Sequence, residues 1–174
     1  PRVLSRSPGL VNLLAALLSV ALLATPRTAL AARYTLIGWN NLGMHCMDGD
    51  YSVLSLLPPY NTIHAQLVSP TGALIDDPSA AGITVTYRAV ADPSGSINTT
   101  SLNKTNFWMH VDELFGASLS VNAGLAGFDM PGAPGASRAM KWDATQHWFY
   151  AEGIPITPYD DQGRKNYYPM MRLE

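Results

Sequence analysis

Ile83-Thr84-Val85-Thr86-Tyr87-Arg88-Ala89-Val90 sets Ile83, Val85 and Tyr87 against two threonines. A period of two in β-branched and aromatic residues is the pattern of a strand with one face buried. Towards the N-terminus, Thr62 to Val68 repeats it, with Ile63, Ala65 and Leu67 alternating with His64 and Gln66. Ser69-Pro70-Thr71-Gly72 then reads as a turn, and Ala73-Leu74-Ile75 as a returning hairpin partner. Tyr34 to Trp39 and Tyr51 to Leu57 are further strand candidates. Pro58-Pro59 closes the second, because proline donates no ladder hydrogen bond.

Towards the C-terminus the pattern breaks once. Phe107, Val111, Leu114 and Phe115 recur at helical spacing and predict one short helix near 105–115. Asn103 or Thr105 would cap its start, and Gly116 would stop it. Asn122 to Ser137, rich in Gly, Ala and Pro, reads as a long loop. Met140 to Trp142 and His147 to Ala151 flank Asp143 to Gln146 as one hairpin. Ile154 to Thr157 and Lys165 to Leu173 flank Pro158 to Gly163 as a second. Strands at short spacing with one helix predict a mainly β, β-sandwich-like domain, immunoglobulin- or cupredoxin-like.

Residues 1–31 stand apart from this domain. Arg2 and Arg6 precede an apolar run from Leu13 to Ala24, and Ala29-Leu30-Ala31 gives the small-x-small pattern of signal-peptide cleavage. The run is short for a bilayer span, which favours a cleaved secretory signal over an uncleaved membrane anchor. The expected address is secreted, periplasmic or the outer cell surface. Residues 32–174 then form a single β-rich domain of about 143 residues, enough for one core. Glu174 falls inside what reads as a strand, so this domain is expected to be the N-terminal part of a longer protein.

Cleavage would leave eight basic against thirteen acidic residues. A mildly acidic surface without a Lys/Arg cluster points away from nucleic acid, and membrane contact would run only through an uncleaved leader. A protein partner, or downstream domains of the same polypeptide, is the expected contact. One cysteine cannot form an internal disulfide, so export leaves Cys46 buried, metal-bound or paired outside the chain.

Cys46 lies in Asn40-Asn41-Leu42-Gly43-Met44-His45-Cys46-Met47-Asp48-Gly49-Asp50, where nitrogen, thiolate, thioether and carboxylate donors crowd together. Such soft donors suit copper, and the candidate ligands are His45, Cys46, Met47 and the distant His64, with Met44 in reserve. Adjacent residues of a strand point to opposite faces, so His45 and Cys46 would share an ion only across a bend at Gly43 or Gly49. A glycine-flanked turn with Cys46 packed inward therefore ranks ahead of copper. No CxxC, HxxxH or HExxH spacing supports zinc. Asp48-Gly49-Asp50 and Asp160-Asp161 read as polar turns ahead of calcium sites. Ser52 and Ser55 lack the G-x-S-x-G context, and an enzyme using Cys46 as nucleophile ranks third.

Other side chains divide by position. His110 is expected half-buried on the helix and His147 exposed in a hairpin. His64, on the polar side of its strand, is free for a surface or binding role. Trp108, Trp142, Trp148 and Tyr150 would form either a sugar platform or, more simply, core and cross-strand pairs. Asp112-Glu113 reads as the helix's solvated face. Asn98-Thr-Thr and Asn103-Lys-Thr are glycosylation sequons.

Gly38 to Asp48, Leu57-Pro58-Pro59-Tyr60-Asn61, Lys104-Thr105-Asn106-Phe107-Trp108 and Gly153 to Asp161 resemble the β-rich N-terminal region of secreted bacterial multihaem cytochrome c-like proteins. The resemblance covers essentially all of residues 32–174. It implies an electron-transfer context, with this domain as scaffold or docking surface. Cys46 stands alone and no CxxCH occurs, so covalent haem is assigned to no residue here and would need motifs beyond Glu174. The reading that results is a structural or interaction module of a larger electron-transfer protein, with copper binding as its rival.

Overall fold

The structure, a computed structural model, describes residues 33–42 and 58–174. Alternation along residues 83–90 is realised as burial: Val85, Tyr87 and Ala89 face inward, and Thr84 is exposed. This segment carries β3 (Thr86–Val90), the centre of a three-stranded sheet with β4 (Arg138–Ala139) and β7 (Met170–Leu173). A four-stranded sheet is ordered β1 (Thr35–Leu42), β2 (Asn61–Val68), β6 (Trp148–Ile154), β5 (Lys141–Asp143). Every pairing is antiparallel. The protein is thus mainly β, with two antiparallel sheets and one helix among the described residues, α1 (Phe107–Phe115).

Both sheets feed one core. Ile63, Ala65, Leu67, Phe149, Ala151 and Ile154 come from the four-stranded sheet, Val85 and Tyr87 from the β3 segment, and Phe128, Met130, Met140 and Ile156 from connections. Fully burying one of the larger apolar side chains stabilises by about 1.5–3 kcal/mol. The Tyr87 hydroxyl escapes the penalty of burial by donating to the Asp129 carbonyl at 2.7 Å. Burial, more than the nearby Asp129 charge, holds that phenol far above its ordinary pKa.

The ladders contain two bulges. Asn40 pairs with Ile63 and Leu42 with Thr62, so Asn41 is the extra residue on β1. Ile63 pairs with Ala151 and Asn61 with Ile154, so β6 carries one extra residue around Glu152 and Gly153. Gly153 has φ of +72°, a left-handed conformation open to glycine, and its backbone lies against Ala126 and Tyr60.

Asp160 and Asp161 form the predicted polar turn and tie it to the long loop before the helix. Asp160 is fully buried and accepts from Gln162 N, Arg164 N, Arg164 Nε and Ser96 Oγ at 2.7–3.0 Å. Asp161 accepts from the Thr99 N–H and hydroxyl, and from Lys104 Nζ at 2.7 Å. Lys104 also donates to Asn98 Oδ1, and burial lowers its pKa against the pull of Asp161. Protein donors thus occupy these carboxylates.

Several sequence expectations are corrected. The second hairpin does not form as expected: the turn closes with a single Tyr159–Lys165 bridge, and residues 170–173 pair with β3. Met171 and Leu173 pack on the shared core, and burial there decides the pairing. Residues 73–75 return only as a Val68–Leu74 bridge. On α1, Phe107 and Val111 are buried while Leu114 and Phe115 remain exposed. Its N-cap is Asn106, without a side-chain cap bond; Thr105 instead accepts the Phe107 N–H, and Gly116 ends the helix in the left-handed conformation. The strand expected at 51–57 lies outside the described residues. No helix among the described residues is long and apolar enough to cross a membrane.

Candidate functional site

Cross-strand register builds a site on the outer face of the four-stranded sheet. Trp39 pairs with His64, His64 with Tyr150, and Asp143 with Trp148. Partners directly opposite share a face, as do residues two apart on one strand, so these five side chains lie together. The bulges add Asn41 at one side and Glu152 at the other. The result is a depression of about 340 Å³ lined by Asn41, Thr62, His64, Asp143, Trp148, Tyr150 and Glu152.

His64 forms its floor. Of the surface or binding role left open to it, the surface position does not hold, because His64 is only 6% exposed. Trp148 meets it edge-on at 4.5 Å, Trp39 lies 5.6 Å away, and the two tryptophans are themselves 5.8 Å apart. Nδ1 is buried with no hydrogen-bond partner among the described residues. Burial lowers the imidazole pKa below its ordinary 6.5, outweighing the opposite pull of Glu152 and Asp143. The ring is therefore neutral at pH 7.

The carboxylates are positioned by separate devices. Glu152 is exposed, and its Oε1 accepts the Tyr60 hydroxyl at 2.7 Å. Burial first, and then this bond, push the Tyr60 pKa up to about 12, so Tyr60 remains a donor at all physiological pH. Asp143 Oδ1 accepts the N–H groups of Thr145 and Gln146, which fixes the turn into β6. A single carboxylate thus shapes the hairpin and lines the depression.

Of the candidate metal ligands, His64 alone is described; His45, Cys46 and Met47 lie outside the described residues, as do Met44 and Asp48 to Asp50. Among the described residues no three His, Cys, Asp or Glu side chains converge as a metal ion would require. The histidines are dispersed: His110 is half-buried on α1, and His147 sits at the hairpin with φ of +54° and Nδ1 3.5 Å from Asp76.

The four aromatic residues do not share one platform. Trp148 and Tyr150 line the depression, Trp142 turns to the opposite face against Phe149 at 4.9 Å, and Trp108 packs on Phe107. Of the sequons, Asn98 is buried, donating from Nδ2 to the Thr157 carbonyl, whereas Asn103 is exposed. Thr62 and Glu152 had no motif to announce them, and Asn41, Tyr60 and Asp143 stood in motifs or a turn that assigned them no site role. Gly153 fell between the strands expected at His147 to Ala151 and Ile154 to Thr157, but β6 runs through it, and glycine inside a strand marks a bulge.

Compared with known proteins, the chain matches no family model, no curated protein and no solved structure.

Proposed function

We propose that residues 32–174 are a β-sandwich-like interaction module of an exported protein, serving as scaffold or docking part of a larger electron-transfer protein. Two antiparallel sheets feeding one core support the sandwich reading. The observation that carries the interaction reading is the outer-face depression, where tryptophan and tyrosine faces sit beside two carboxylates. Aromatic side chains in partly enclosed sites are the residues that anchor protein interfaces. The electron-transfer context and the export come from the resemblance and the leader.

The test is made on the exported protein from its full reading frame. Cell fractionation and N-terminal sequencing should place it outside the cytoplasm with an N-terminus near Ala32. Haem staining of the denatured protein should show covalent haem on CxxCH motifs beyond Glu174. A cytoplasmic protein with its leader intact would overturn export, and absence of both motifs and haem would remove the electron-transfer context.

Copper is the second reading, favoured by the neutral His64 ring with its Nδ1 unpaired among the described residues. It takes His64 with His45, Cys46 and Met47 as ligands. Metal analysis of the same protein decides it: stoichiometric copper lost in Cys46→Ser supports this reading, and copper-free protein ends it.

A further inference from the structure

We infer that the outer-face depression recognises an organic cation, the guanidinium or ammonium of a basic side chain presented by a protein partner. This rests on the reading of the domain as an interaction module and specifies what that module recognises.

Charge is the first argument. Asp143 and Glu152 bring two carboxylates to the rim, and no lysine or arginine lines the depression among the described residues. Lys141, opposite Tyr150 in the register, keeps its ammonium over the Phe128 ring at 5.0 Å. An uncompensated acidic site beside low-dielectric aromatic walls attracts cations.

Shape and donor geometry choose the kind of cation. A metal ion needs several donors converging on one point, and no such group is found among the described residues. The walls instead offer the rings of Trp148 and Tyr150, and aromatic faces bind organic cations through their quadrupole. The volume of about 340 Å³ lies at the small end of ligand pockets and has room for one basic side chain.

Two independent features show a built site. His64 is a polar residue more than nine-tenths buried in the floor, its Nδ1 lacking a partner among the described residues, and such orphaned groups are uncommon. The ring is held in the floor between Trp39 and Trp148. The bulges on β1 and β6 fall on both sides of β2 and swing Asn41 and Glu152 to the same depression. Bulges concentrate where a strand must re-aim a side chain. Tyr60 then fixes Glu152 through Oε1, which leaves Oε2 to meet a ligand.

The experiment titrates the exported protein at low salt, reading the Trp148 indole N–H by NMR together with tryptophan fluorescence. The probes are Nα-acetyl-arginine methylamide, its lysine counterpart, the neutral isostere Nα-acetyl-citrulline methylamide, methyl glucoside and a Gly-Arg-Gly peptide amide. The two cationic derivatives should saturate, the peptide should bind more tightly than the arginine derivative, and citrulline and glucoside should give no saturable response. Glu152→Gln with Asp143→Asn should weaken cation binding about tenfold or more, because it removes both charges. The amides preserve the Tyr60 acceptor and the turn cap, and far-UV circular dichroism checks that the variant is folded. Equal binding of citrulline, binding of the glucoside alone, no response, or unchanged affinity in the folded double variant would each overturn the proposal. A peptide no tighter than the single residue would overturn its partner clause. Intact export and haem with no titration response would remove this pocket alone. Cation binding by a protein without haem would keep the pocket and remove the electron-transfer context.

Discussion

Asp160 shows what one residue can hold in place. It is fully buried, yet its carboxylate collects backbone, hydroxyl and guanidinium donors from residues on both sides of the loop. Burial alone would raise its pKa; the bonds from Arg164, Ser96 and Gln162 win and hold it at about 2, against 3.8 for a free aspartate. The folded form therefore favours the ionised group. Its stabilisation is complete above the ordinary aspartate pKa and is lost as pH falls from about 4 through about 2. We predict that Asp160→Asn costs about 3 kcal/mol at pH 7, by weakening a buried charged network. Urea denaturation of both proteins at pH 7, 4 and 2.5 should show the gap narrowing as acid neutralises the wild type; a constant gap would mean that the charge is irrelevant. The sequence marked Asp160-Asp161 as a turn, which is correct, but the donors from Ser96 and Thr99 lie some sixty positions away and leave no local trace. His64 was legible as a candidate because it is a histidine on the polar side of a strand. Its enclosure by Trp39 and Trp148 depends on neighbours that pairing alone supplies.

At the scale of the element, periodicity was a good guide where one face alone meets the core. β3 and the inner face of β2 follow their alternation, and so does the hairpin of β5 and β6 around Asp143. It failed where two faces are covered, as at the start of β2, and where the partner strand is remote, as for β7. Bulges were invisible, including the one at Gly153. That position gives a sharp test, because a Cβ there would lie 2.7 Å from Ala126 Cβ and 2.9 Å from Tyr60 Cε2. Gly153→Ala should cost about 2–4 kcal/mol, from both the left-handed φ and the overlap. Gly127→Ala shares the positive φ, at +88°, but its Cβ meets open space, so it should cost only about 1 kcal/mol. Chemical denaturation of the two variants checks the difference, and equal losses would show that the contacts at the bulge do not matter.

Taken as a whole, the molecule joins distant parts of its chain. Arg88 meets Glu174, 86 positions later, at 2.8 Å, and Thr86 and Glu174 exchange both backbone hydrogen bonds. Gly38 on β1 lies directly under Leu173, so the last strand also packs on the first. Deleting residues 170–174 should strip β3 of its long partner and abolish the cooperative thermal transition seen by near-UV circular dichroism; a transition kept within a few degrees would show that β7 is dispensable. The mainly β character and the helix at Phe107–Phe115 were readable from composition and period. The depression was not, because its residues come from four strands and meet only when the sheet is assembled. The same wiring has a consequence in time. β2 waits for β6, and β3 waits for β7, so neither sheet can finish before residues 148–173 have emerged. Pairings so remote in sequence make folding slow, on the order of milliseconds to seconds. A growing chain of this design stays open until β7 arrives, and then closes around it.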